Sequence, residues 1–175
     1  MAPPSGDIFY ASIGEITQKL RAKEFSAVEL TRAFCDRLER LGPRYNALAL
    51  SLCPQAIRKA REVDGDLKRG RYRAMQGIPY GAKDLLAYRG QPTTWGAKPF
   101  AGQVFDYDAR AIEKLDKAGA ILIGKLAMVE LAGGGGYVSE SASLTGPGLN
   151  PWDRTRWSGG SSSGSGIAAA AGMVT

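Results

Sequence analysis

The chain has 175 residues, 44% hydrophobic, 9% aromatic and 23% charged, the composition of a soluble globular domain rather than a disordered or fibrous one. A chain of this length can bury about two-thirds of its unfolded surface, so it needs no disulfide or metal to hold a core. It contains no histidine, which excludes Ser-His-Asp triads, Cys-His dyads and the usual zinc and non-haem iron sites unless another chain supplies the imidazole.

The net charge of +6 is uneven: residues 1–75 carry fourteen basic and nine acidic side chains, residues 76–175 nine and eight. A basic N-terminal third could face tRNA or another polyanion. The basic residues are interleaved with acids on the polar faces of predicted helices, so a solvated surface is the stronger reading and no nucleic acid is expected. No apolar run reaches membrane-spanning length, and Met1 to Asp7 lacks a basic stretch followed by an apolar one, so no membrane contact and a cytoplasmic location are expected. Cys35 and Cys53 match no metal or redox spacing and read as free thiols.

Ser12-Ile13-Gly14-Glu15 has the form of a capping box, and Ile13, Ile16 and Leu20 predict a helix to about Lys23. Ser26-Ala27-Val28-Glu29 repeats the signal before a stripe of Leu30, Phe34, Leu38 and Leu41, with Phe25 able to staple onto Leu30 and Gly42-Pro43 as the stop. Asn46 to Leu52 reads as a short strand. Pro54 then opens a third helix through Ile57, Ala60, Val63 and Leu67 to Gly70.

Gly77 to Leu86 is apolar and punctuated by Gly and Pro, more a buried turn or strand end than a helix. Asp108 is expected to cap a helix through Ile112 and Leu115 that stops at Gly119, and Ala120 to Ile123 reads as a doubly buried strand. Helices alternating with buried strands give an α/β fold. Ile167 to Thr175 resembles a small-residue helix, a glycine exit and the start of another buried strand, as expected for the N-terminal part of a longer fold.

Ser158 to Gly166 could pass as a flexible linker, but Trp152 and Trp157 before it and small apolar residues after it place the tract within a core. Matches here to GxGxxA and GxSxG, and at Gly119 to Lys125 to a P-loop, lack the preceding strand, the histidine and the Ser/Thr that each requires. A serine cluster without an imidazole needs another base, and a desolvated lysine can serve. Lys83, among Ile78, Pro79, Tyr80, Ala82, Leu85 and Leu86, is the leading candidate. Taken alone it reads as a snorkelling lysine or one paired with Asp84; the serine tract favours the base.

These segments fall into a known pattern. Gly77-Ile78-Pro79-Tyr80-Gly81-Ala82-Lys83-Asp84 resembles the G-I-P-x-x-x-K-D segment of the amidase signature hydrolases, and Gly124-Lys125-Leu126-Ala127-Met128-Val129-Glu130 their G-K-T-N-M-x-E segment. Asn150-Pro151-Trp152-Asp153 and Ser158 to Ser165 are similar to their N-P-x-D and G-G-S-S-G-G-S core. The order and spacing agree from about residue 12 onward.

The resemblance implies a mixed β-sheet flanked by α-helices, the amidase signature fold, as one incomplete domain. Its helical N-terminal layer would span about 12–70 and its catalytic core segments about 77–175. It implies a Ser-cisSer-Lys triad with Lys83 as base and Ser161, after a cis peptide, as the relaying serine. Ser162 would support the relay. Met128, Ala132, Gly133 and Gly134 would line the substrate pocket. The family's nucleophilic serine would lie beyond Thr175, so the residues in hand are expected to be inactive by themselves. Leu126-Ala127 in place of Thr-Asn, Ser163 in place of Gly and the bare Gly133 to Gly136 wall leave the substrate unspecified.

The implied reaction is hydrolysis of a small-molecule carboxylic amide without metal or organic cofactor. A glutaminase subunit of a tRNA-dependent amidotransferase is the alternative within the family. A non-catalytic remnant or binding module is the alternative outside it. Expected partners are a second copy of the chain or the other components of an amidotransferase.

Overall fold

The computed structural model describes residues 6–133 and 142–175. Both serine caps form as expected. Ser12 and Ser26 each accept from the backbone N–H three residues on, and Glu15 and Glu29 reach back to the cap, opening α1 (Ile13–Arg21) and α2 (Ala27–Leu41). α1 stops two residues short of Lys23, which takes a left-handed φ of 58°. Asp64 of α3 (Cys53–Lys68) accepts from the N–H groups of Ala27 and Val28 at 2.7 and 3.2 Å, docking α3 on the start of α2.

Three strands form one mixed sheet in the order β1-β3-β2. β3 (Ile121–Leu126) is central. β1 (Leu48–Ser51) runs antiparallel to it, and β2 (Pro79–Lys83) runs parallel, with Pro79 opposite Ile121 and Lys83 opposite Leu126. Gly77 to Leu86 therefore contains a strand that its Gly and Pro had disguised. Helices of the N-terminal layer and α5 (Ser163–Ala170) enclose a core of Ile16, Leu30, Phe34, Leu38, Ile123 and Ile167. α4 (Arg110–Lys117) packs Ile112 with Tyr80, Ala82 and Ala120 in a second cluster. This is the α/β architecture expected from the sequence, with the mixed sheet that the family resemblance implies.

Four local expectations change. Asp108 does not cap α4, whose N-cap is Ala109; its carboxylate instead accepts from the Arg89 N–H at 2.7 Å and ties two loops together. Cys35 and Cys53 are not free thiols but a disulfide, with Cα atoms 5.7 Å apart. The α2–α3 packing brings the two side chains together, which spacing along the chain could not show. Disulfides are uncommon in reducing compartments, so this pairing also bears on the cytoplasmic expectation. Trp152 is 80% exposed rather than part of a core. Finally, Met173 and Val174 are buried but form no strand; the Thr175 N–H and hydroxyl both donate to the Pro79 carbonyl at the edge of β2. No helix among the described residues is long and apolar enough to cross a membrane.

Candidate active site

β2 ends at the sheet's C-terminal edge with Lys83, and α5 begins just beyond the serine tract. Their junction is close because of a glycine. The Gly164 N–H donates to the Ala127 carbonyl at 2.9 Å, and a Cβ on Gly164 would lie 2.4 Å from both the Ala127 nitrogen and the Ala47 oxygen. The first turn of α5 thus rests directly on backbone where β3 ends.

This seating holds Ser161 over Lys83. The Lys83 Nζ donates to the Ser161 Oγ at 2.8 Å, across 78 residues of sequence. The Gly160-Ser161 peptide is cis, and the Ser161 carbonyl accepts from the Val129 N–H at 3.0 Å. Gly160 leaves no room for a side chain, since a Cβ there would approach Val129 Cγ2 to 2.7 Å. Lys83 is half-buried, and desolvation pushes its ammonium below the ordinary lysine range. An amine so shifted, held against a hydroxyl, can accept its proton and return it.

The remaining expected residues differ in their exposure. Met128 is fully buried, and its carbonyl accepts from the Ser143 hydroxyl at 2.8 Å. Its neighbour Val129 makes the link to Ser161 through its backbone N–H. Ala132 is exposed with a left-handed φ of 51°, and Gly133 is half-buried beside it. Gly134 lies outside the described residues. Ser162 is exposed at the N-cap of α5, and its side chain makes no capping bond.

Asp84 and Lys125 lie in separate segments of the sequence, and nothing local links them. Asp84 is not the partner of Lys83. Its carboxylate pairs with the Lys125 ammonium at 2.9 Å, with side-chain exposures of 2% and 0%. The Thr94 hydroxyl and N–H donate to the same carboxylate at 2.5 and 3.1 Å, and Lys125 also donates to the Thr93 hydroxyl at 2.9 Å. A lysine inside the apolar run Ile121 to Leu126 was the available signal, because a fully buried ammonium demands a counter-charge. Among the described residues no three carboxylates or thiols cluster as metal ligands.

Comparison with known proteins identifies the family. The family model described as Amidase matches residues 29–175. The chain belongs to the amidase family. Its amidase-family relatives include a glutamyl-tRNA(Gln) amidotransferase subunit of Geobacter sp. (strain M21), 39% identical over 169 residues that make up 97% of this chain and 34% of the relative. The putative amidase AmiD of Mycobacterium tuberculosis (strain ATCC 25618 / H37Rv) is 39% identical over 160 residues, 91% of this chain and 33% of that protein. Among solved structures, the native peptide amidase from Stenotrophomonas maltophilia superimposes with a TM-score of 0.82 at 29% identity, over 94% of this chain and 34% of that one. The chain spans about a third of the length of the curated relatives it matches.

Proposed function

We propose that the protein of which these residues form part hydrolyses carboxylic amides, with Lys83 as the base and Ser161 as the proton relay. The observation that carries this reading is the 2.8 Å contact between Lys83 Nζ and Ser161 Oγ in a chain without histidine. Family membership supports the reaction class.

With the Lys83 amine neutral, the Ser161 hydroxyl donates to its lone pair and can take a proton from a second hydroxyl in turn. That second hydroxyl, supplied by a serine outside residues 1–175 as the family resemblance implies, attacks the amide carbonyl and forms a C–O bond. The proton gained by Lys83 passes back through Ser161 to the departing nitrogen as the C–N bond breaks. Water then enters by the same relay, cleaves the ester and regenerates both hydroxyls, releasing the carboxylic acid. In this reading residues 1–175 supply the base and relay but do not turn over alone. Ala132 and Gly133 would line the acyl side, and Ser162 would support the relay.

Identity to an amidotransferase component favours a second reading, a glutaminase that works with partner subunits. Assay of the full-length gene product against glutamine, short aliphatic amides and aryl amides separates the two. Glutamine hydrolysis that requires added subunits supports the second, autonomous cleavage of simple amides supports the first, and no amide cleavage in any form contradicts both.

A further inference from the structure

Lys83 and Asp84 are adjacent in sequence yet lie on opposite faces of the sheet. Ala82 is the register partner of Lys125 on the parallel strand β3, and strand alternation puts Asp84, two residues on, on that same face. The Asp84 N–H donates to the Leu126 carbonyl at 2.9 Å and continues the ladder, so the carboxylate is carried to Lys125 rather than to Lys83. Thr94 closes the remaining approach to the carboxylate and accepts from the Gly96 N–H at 3.1 Å, which ties the loop around residues 92–96 into the same knot.

α4 packs on the Tyr80 and Ala82 face of β2, opposite Lys83, and carries Arg110, Glu113, Lys114, Asp116 and Lys117. The other elements packed on β2 bring little charge to Lys83. α5 contains no ionisable residue, and Lys125 is the sole ionisable residue of β3. On α2, Arg32, Asp36, Glu39 and Arg40 are exposed, Glu29 is bound to Ser26, and Arg37 donates to the Ala171 carbonyl. Glu130, on the segment preceding the tract, is exposed. The carboxylate nearest to Lys83 along the chain is therefore the one already taken by Lys125.

We infer that Asp84 and Lys125 are positioning residues for the base. Their buried pair neutralises the carboxylate beside Lys83 from the far face of the sheet and pins the end of β2, leaving the Lys83 amine to Ser161. What this amine is kept for rests on the amide-hydrolase reading; the electrostatic arrangement itself does not.

The two partners have opposite charge, so their single removal must act in opposite directions. Lys125→Met leaves a carboxylate uncompensated, which favours the Lys83 ammonium. Asp84→Asn leaves an ammonium uncompensated, which favours the neutral amine. The test is the titration of Lys83 in the full-length protein, followed by the NMR shift of its ε-carbon in ε-¹³C-lysine-labelled samples and assigned by loss of the signal in Lys83→Arg. The acid limb of kcat/KM on an aryl amide is recorded alongside.

The expected result is a Lys83 midpoint displaced upward in Lys125→Met, downward in Asp84→Asn and returned to the wild-type position in Asp84→Asn/Lys125→Met. The kcat/KM of Lys125→Met should fall about tenfold at neutral pH for each pH unit of displacement and recover in alkali. A purely structural role would lower activity equally at every pH with unmoved midpoints, and that result overturns the proposal. So do displacements of the same sign in both single variants. Circular dichroism identifies the folded variants; where a single variant unfolds, the double variant decides, and a midpoint displaced in it by more than about one unit is contrary. Opposite shifts in a protein without amide turnover would leave the positioning role standing and remove only the hydrolase reading.

Discussion

Lys83 and Ser161 are 78 positions apart and meet at 2.8 Å because one strand end and one helix start share the backbone around Ala127. The contact therefore depends on how closely α5 can approach β3, and several consequences can be measured.

The first concerns that approach. Gly164→Ala inserts a methyl group 2.4 Å from two backbone atoms that cannot move aside, so α5 must lift and carry Ser161 off the lysine. The expected loss is about 1–3 kcal/mol of stability, as for overpacked cores, with at least tenfold lower amide turnover in the full-length protein. Gly166→Ala, two residues along the same helix with open space at its Cβ, should instead be neutral or stabilising by about 0.4–1 kcal/mol. Denaturant melts of the two variants give the comparison, and equal effects would contradict this seating.

A second prediction concerns pH. Burial holds the Lys83 ammonium below the ordinary lysine range, and only the neutral amine can accept a proton. Amide turnover should therefore rise with pH through the Lys83 midpoint and be lost as pH falls below it. For stability the sign is the same: the unfolded chain binds this proton more tightly, so the penalty for holding the group in the fold fades as pH rises. Lys83→Met removes a desolvated ammonium and should raise the melting temperature at neutral pH while abolishing activity, a trade expected at a functional site. A lower melting temperature in Lys83→Met would count against the desolvation account.

Removing one member of the buried Asp84–Lys125 pair leaves a charge without a partner. Either Lys125→Met or Asp84→Asn should cost about 3–5 kcal/mol, and the double variant distinctly less than the sum. Chemical denaturation of the four proteins measures the coupling, and additive losses would argue that the two groups do not interact.

The cysteine pair gives a direct chemical test. With Cys35 and Cys53 bridged, a denatured but unreduced sample should show no alkylation at either position. Both should react after reduction. Alkylation before reduction would restore the free-thiol reading of the sequence.

Much of the scaffold was legible because its signals are local. Ser12 with Glu15 and Ser26 with Glu29 announce two helices within four residues each, and the apolar spacing from Leu30 to Leu41 shows which face is buried. β2 was obscured because Gly77, Pro79 and Gly81 break the alternation by which a strand is recognised. Lys83 and Ser161 were found by their surroundings, an apolar flank for one and a Ser/Gly tract for the other, together with a family resemblance. The Asp84–Lys125 pair and the Cys35–Cys53 bridge escaped for a common reason. Both depend on which positions of separate elements come into register, and that relation is written in no single stretch of sequence.

The most direct measurement is kcat/KM for amide cleavage by the full-length protein, compared with Lys83→Ala and Ser161→Ala at matched folded concentration. Loss of a base or of its relay should lower it by about a thousandfold or more in each variant, and by little further in the double variant, since the two groups act as one unit. A folded Ser161→Ala or Lys83→Ala protein that retained activity within about tenfold of wild type would contradict the relay.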